Sequence, residues 1–116
     1  MPLIKLNISK TLEDKTKEEL AKMLITTICN ITGKPEGYTM AIIEDNATIL
    51  FAGKDIEGAF VEVKGIGGLT PEINKKLSAT ICKLLKEKIN IMPENVYLNF
   101  TDVPATNWGW KGETFG

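Results

Sequence analysis

The stretches PEGYTMAIIED (residues 35–45) and PENVYLNFTD (residues 93–102) decide the fold. Each opens on Pro-Glu, passes through a β-rich run and ends on an aspartate, Asp45 in the first and Asp102 in the second. The Pro-Glu pairs supply a turn, and the β-branched and aromatic residues that follow suit a pleated surface. Working outward, each stretch follows a helical pattern that itself follows a strand. Ahead of the first, Leu3–Ile8 alternates, with Ile4, Leu6 and Ile8 on one side and Lys5 and Asn7 on the other. Thr16 with Glu19 three residues later is a capping-box signature, and Leu20, Met23, Leu24, Ile28 and Ile31 recur at helical spacing up to Gly33. Ahead of the second, Ala59–Val63 reads as a strand and Gly65-Ile66-Gly67-Gly68 as a break. Thr70, Pro71 and Glu72 then read as the N-cap, first position and first-turn charge of a helix running through Ile73, Leu77, Ile81, Leu84, Leu85 and Lys88. The expected fold is α+β: two β-α-β repeats forming a four-stranded mixed sheet with two helices on one face. Short extra strands are expected at Thr48–Phe51, returning from a turn at Asp45-Asn46, and at Trp108-Gly109-Trp110.

A chain of 116 residues has room for one domain, residues 1–116. Hydrophobic residues make up 43% and charged residues 25%, the balance of an ordinary globular protein. The informative numbers are zeros: the chain has no His and no Arg. Ser/His/Asp and Cys/His relays and His-ligated metal sites are therefore excluded, so a catalytic base would have to be something else. The lysines leave a net charge of −1, and the chain has no basic tract, which argues against a nucleic-acid partner. Cys29 and Cys82 fall inside helical patterns, far from a CxxC spacing, and read as small buried apolar residues. No stretch approaches a membrane span and no secretory signal opens the chain. A cytoplasmic protein is expected, any export using a route without a signal peptide.

The strands are apolar on more than one side, through Met40, Ile42, Ile43, Leu50, Phe51, Phe60, Val61 and Val63. Helices cover one face only. The second needs a partner, and an oligomer with facing sheets is expected.

Four places could carry chemistry. Pro2 would start the chain once Met1 is removed, giving a secondary amine at the first residue of a strand. An α-amine titrates near neutrality, and an apolar pocket or a neighbouring ammonium favours its neutral, basic form. Lys34, between the helix-ending Gly33 and Pro35, has its direction fixed by a stiff turn, or is simply one more solvated lysine. Tyr97 and Asn99 share one face of a strand, as edge polarity or as a pocket wall with a donor. The glycines around Ile66 open backbone N–H groups to an anion near a helix start, though Gly65–Gly68 lacks the ending of a P-loop.

Taken together, these residues resemble the macrophage migration inhibitory factor (MIF) family of the tautomerase superfamily. The resemblance runs the length of the chain. It covers Met1-Pro2, Thr32-Gly33-Lys34-Pro35 with Tyr38, Phe51-Ala52-Gly53, and Gly65-Ile66-Gly67-Gly68-Leu69 leading into a helix that carries Asn74. It continues through Val96-Tyr97-Leu98-Asn99-Phe100, then Gly109-Trp110 with Thr114-Phe115. It implies a homotrimer whose sheets enclose a channel, and cofactor-independent keto–enol tautomerisation of phenylpyruvate-like acids or isomerisation of dopachrome. Pro2 would be the proton shuttle, and Lys34 and the Ile66 backbone would hold the carboxylate or carbonyl of a small aromatic 2-keto acid. Asn99 would donate a hydrogen bond from the adjacent subunit, and Tyr97, Tyr38, Trp108 and Phe115 would line the pocket. The family also implies a second reading, a secreted cytokine-like protein acting on a cell-surface receptor with a largely vestigial pocket. An RNA-binding module is a third, requiring aromatics on the central strands and a basic surface. Three departures bear on function. The stretch matching a CxxC of some members is Gly58-Ala59-Phe60-Val61, so thiol–disulfide exchange should be absent. Trp108 is larger than the residue often found at its position. A retained Met1 would turn the Pro2 nitrogen into an amide, which is no base.

Overall fold

The computed structural model describes residues 2–116. Its elements run β1 (Leu3–Ile8), α1 (Asp14–Thr32), β2 (Met40–Glu44), β3 (Leu50–Phe51), β4 (Lys54–Asp55), β5 (Ala59–Gly65), α2 (Pro71–Ile89), β6 (Val96–Asp102), β7 (Gly109–Trp110) and β8 (Glu113–Thr114). The main sheet has the order β2-β1-β5-β6. β1 pairs in parallel with β2, as β5 does with β6, while β1 and β5 meet antiparallel at the centre. Each β-α-β unit thus supplies one parallel pair, the arrangement that the repeated sequence plan predicts. Alternation puts Ile4, Leu6 and Ile8 of β1 and Ala59, Val61 and Val63 of β5 into one core with Leu20, Leu24 and Ile28 of α1 and Leu77, Ile81 and Leu85 of α2. Both helices therefore cover the same face.

α2 begins as expected: the Thr70 hydroxyl accepts the Ile73 amide at 3.2 Å and Pro71 opens the helix. α1 does not. It starts at Asp14, two residues before the capping box at Thr16, and its N-cap residue Glu13 makes no side-chain cap. A long-range contact fixes the chain just ahead of it. Asp45, just past β2, accepts the Leu12 amide at 2.9 Å and faces Lys17 at 3.5 Å. That amide and the Lys17 charge hold the Asp45 carboxyl below the usual carboxylate range. Tyr38 also lies outside its expected strand, in a single 3-10 turn at Glu36–Tyr38. Thr48–Phe51 does not pair back on β2; only Leu50 and Phe51 are extended, and they form a separate hairpin with Lys54 and Asp55. The positive φ of Ala52 (52°) and Gly53 (76°) closes that two-residue turn, so the register is set locally and not by the Asp45-Asn46 turn. The last strand, Gly109–Trp110, pairs with Glu113–Thr114.

The open face is less apolar than the sequence suggests. Ile43, Val61 and Val63 turn to the helices, and register places Ile42, Lys5, Glu62 and Asn99 in one row across the open face. Lys5 also pairs with Glu44 at 3.3 Å. What stays exposed is apolar at the ends and edges: Met40, Leu50 (65% exposed), Phe60, Tyr97 (64%) and Trp110. Phe60 is the only aromatic of the central strands β1 and β5, and it stands opposite Tyr97 of β6. The cysteines are half-buried, not buried; Cys29 Sγ lies 3.3 Å from Thr39 Oγ1, and burial pushes the Cys82 thiol up.

Gly58, in the stretch that matches the CxxC of other chains, is fixed by packing. Its amide donates to Ser9 Oγ at 2.9 Å, and a Cβ there would stand 2.7 Å from the Asn95 carbonyl oxygen. That oxygen belongs to backbone and cannot yield. Gly58→Ala is expected to cost about 1–3 kcal/mol, read as a lower urea midpoint at unchanged slope; a midpoint equal to wild type would contradict this packing.

Candidate active site

Pro2 sits buried at the head of β1, and its carbonyl accepts the Met40 amide at 3.1 Å, which ties it to β2. It lines a cleft of about 680 Å³. Four strands of the main sheet and the C-terminal segment build the walls. Register sets Leu3 against Met40 on one side and Lys64 on the other, and Lys64 against Thr101, so all four side chains share the open face beside Pro2. Val103, Asn107, Trp108 and Gly109 continue the wall, and Tyr38, Trp110 and Phe115 form an aromatic one. Tyr38 meets Trp110 edge-on at 5.6 Å, and Trp110 stacks on Phe115 at 5.9 Å with 8° between planes. Such pairs fix ring orientation, so this wall is stiff. The β7–β8 turn, with positive φ at Lys111 and Gly112, folds Phe115 back to Trp110.

The structure divides the residues picked out from the sequence into two groups. Pro2, Tyr38, Trp108 and Phe115 come together in the cleft. Lys34 and Ile66 come together next to it. The Lys34 ammonium donates to the carbonyl oxygens of Ile66 and Gly67, each at 2.6 Å. Gly67 and Gly68 take positive φ of 72° and 83°, which curls these carbonyls around the ammonium, and a Cβ on Gly68 would meet Lys34 Cε at 3.1 Å. The Gly67 amide, offered by the sequence as an anion donor, donates instead to Asp102 Oδ1 at 2.6 Å. This turn adjoins the cleft through Val103, whose amide donates to the Gly65 carbonyl at 2.7 Å. Tyr97 and Asn99 lie apart from the cleft of their own chain. Both are exposed on the edge strand β6, Tyr97 packing on Phe51 at 4.9 Å and Asn99 Oδ1 accepting from the Thr101 hydroxyl at 3.0 Å.

Sequence reasoning missed Lys64, Thr101 and Trp110. Lys64 alternates with Val63 and so had to face away from the core, but only the antiparallel register of β5 on β1 sets it beside Pro2. Trp110 was visible as the partner of Gly109, and the doubly positive φ of the next turn puts it into the wall.

The sequence profile described as Macrophage migration inhibitory factor (MIF) matches residues 1–116. The chain belongs to the MIF family. The mouse macrophage migration inhibitory factor is 32% identical over 92 residues, 79% of this chain and 80% of that protein. The crystal structure of the MIF homologue from Prochlorococcus marinus is 32% identical and superposes with a TM-score of 0.93, covering 98% of this chain and 99% of that one. A fused 4-OT described as a wild-type symmetric trimer shares the fold at a TM-score of 0.84 and 23% identity, over 96% of this chain and 93% of that one. The chain therefore shares its fold with that fused 4-OT as well as with its MIF relatives. Among its described residues no helix is long and apolar enough to cross a membrane.

Proposed function

We propose that this MIF-family chain is a cofactor-independent tautomerase for small aromatic 2-keto acids, of the phenylpyruvate or dopachrome type, with Pro2 as the base. The observation that carries this reading is the meeting of Pro2 with the rings of Tyr38, Trp108, Trp110 and Phe115 in one cleft, which has room for a phenyl group beside the amine. With Met1 removed, the Pro2 nitrogen is a secondary amine in a part-apolar wall near a lysine. Both surroundings favour the neutral form of an amine. The neutral amine takes the C3 proton of the keto acid, the C–H electron pair becomes the C2–C3 double bond, and negative charge collects on the C2 oxygen. Protonation of that oxygen gives the enol; the reverse sequence returns the keto form. A base near neutrality and a donor for the oxygen suffice.

The oxygen's donor is assigned to Asn99 of a neighbouring subunit in a homotrimer, with Tyr97 beside it. Two observations support this. Both residues are exposed and do not line their own chain's cleft, and Leu50 and Phe60 leave apolar surface uncovered on the same molecule. The symmetric trimer formed by the fused 4-OT on this fold is consistent with it. Lys34 and the Ile66 backbone hold the turn that borders the site.

The test is turnover of enol-phenylpyruvate, followed by loss of its ultraviolet absorbance, on a sample whose N-terminus is shown by mass spectrometry to be Pro2. Rates well above the uncatalysed reaction are expected. Background rates from that processed sample would end the enzyme reading and leave a receptor-binding role as the alternative.

A further inference from the structure

Each β-α-β unit closes on an aspartate that reaches back to an amide in the loop between the first strand and the helix of its own unit. Asp45 accepts the Leu12 amide ahead of α1, and Asp102 accepts the Gly67 amide ahead of α2 at 2.6 Å. The device is repeated, but its surroundings differ. Asp45 follows Glu44, which pairs with Asn7, so it lies at the end of β1 remote from Pro2. Asp102 lies at the Pro2 end: it stands opposite Gly65, one place beyond the row that joins Leu3, Lys64 and Thr101. The Gly67 N–H that it holds belongs to the same peptide unit as the Ile66 carbonyl. In a trans peptide these two groups point in opposite directions. Opposite charges take them from opposite sides, the Asp102 carboxylate at the N–H and the Lys34 ammonium at the carbonyl, each at 2.6 Å. Rotation of this unit, which glycine at 67 would otherwise permit, would lose both bonds. The Lys34 ammonium also holds the Gly67 carbonyl at 2.6 Å, so the orientation of the unit fixes where that ammonium stands.

We propose that Asp102 is a positioning residue of the substrate site, locking the Ile66–Gly67 peptide against Lys34. This rests on the tautomerase reading, in which Lys34 and the Ile66 backbone meet the carboxylate or carbonyl of the keto acid. With Asp102 gone, the peptide samples rotated states in which Lys34 loses one of its carbonyls and the turn presents different groups to the substrate. Only the locked fraction binds, so the loss appears in KM and not in kcat. Asp45, the matching aspartate of the first unit, serves the fold alone.

The experiment measures phenylpyruvate tautomerisation on processed protein. Asp102 is exposed, so alanine there leaves the core intact. Asp102→Ala is expected to raise KM about 10-fold, the lower end for a hydrogen bond to a charged group, with kcat nearly unchanged. Asp102→Asn keeps an oxygen that can accept the same N–H and should recover most of the KM. Asp45→Ala should lower the urea midpoint and leave KM and kcat as in wild type. In a Lys34→Met background Asp102→Ala should add little, because the peptide has already lost its other clamp. A wild-type KM in Asp102→Ala, equal KM rises in Asp102→Ala and Asp45→Ala, or full additivity with Lys34→Met overturns the assignment while leaving the tautomerase reading intact. If the processed wild type shows no turnover, the tautomerase reading falls, and binding of phenylpyruvate followed by quenching of Trp108 and Trp110 fluorescence still decides. Binding weakened by the same factor in Asp102→Ala and recovered in Asp102→Asn supports Asp102 as the residue that positions the binding turn. Equal binding in Asp102→Ala and wild type, or none in wild type, overturns it.

Discussion

A chain in which any residue precedes Pro2 is expected to tautomerise phenylpyruvate about 10²- to 10⁴-fold more slowly than the chain that begins at Pro2, the usual worth of one positioned general base. The reason is covalent. Acylation of the proline nitrogen ties its lone pair into an amide, and no histidine exists anywhere in the sequence to replace it. The surroundings do not change, since Pro2 is held by its carbonyl, which accepts the Met40 amide, and not by its nitrogen. An Ala inserted between Met1 and Pro2 makes the comparison with almost no effect on folding. Pro2→Gly is the milder control: it keeps an amine at the same place but releases the ring that fixes its direction, so its loss in kcat/KM should be smaller than that of the blocked chain. Equal activity in the blocked and processed chains would remove Pro2 from the mechanism. If blocked and Pro2→Gly chains lose activity equally, geometry matters as much as basicity.

Leu6→Ala is expected to remove about 2–5 kcal/mol of stability, the largest effect of any single truncation considered for this fold. Leu6 is fully buried and stands at the centre of the sheet, opposite Ile43 on β2 and Val61 on β5. The side chains around it belong to strands and helices of both β-α-β units, so the site cannot collapse around the missing atoms without shifting several elements. A domain is stable by only about 5–15 kcal/mol in total, so the variant should be close to unfolding at moderate temperature. Urea denaturation at one fixed protein concentration gives the difference, the concentration being held because assembly would add its own stabilisation. A loss below about 1 kcal/mol would show that the two repeats do not share one core.

The two readings of helix starts show where sequence was enough. Thr70-Pro71-Glu72 contains everything its helix start needs within a few residues, and α2 begins there. Thr16 and Glu19 have the same chemistry on paper, yet α1 starts earlier, at Asp14, and Asp45, more than 30 positions away, fixes the chain just ahead of it by accepting the Leu12 amide and pairing with Lys17. A local signal is overruled when tertiary contacts fix the chain ahead of it. The cleft follows the same division. Pro2 was singled out by its place at the head of a strand and Tyr38, Trp108 and Phe115 by resemblance along the chain, whereas Lys64 and Thr101 needed the register of β1, β5 and β6. The stiff turn after Gly33 marked Lys34 in the sequence, but the partners of its ammonium, the Ile66 and Gly67 carbonyls, depend on how the Gly67-Gly68 curl meets the end of α1.

By itself, the sequence determined the two β-α-β units, the helix-covered face and the absence of any imidazole, because periodicity and composition are properties of short windows and of the whole list of residues. Only the tertiary structure decided that Lys64 shares a cleft with Pro2 and that Asn99 and Tyr97 do not line it. Antiparallel pairing of β1 with β5 brings together residues some sixty positions apart, and a slip of one residue in that register would exchange Lys64 for Val63 at the cleft wall. Alternation along a strand says which residues share a face; only the pairing of strands says which of them meet.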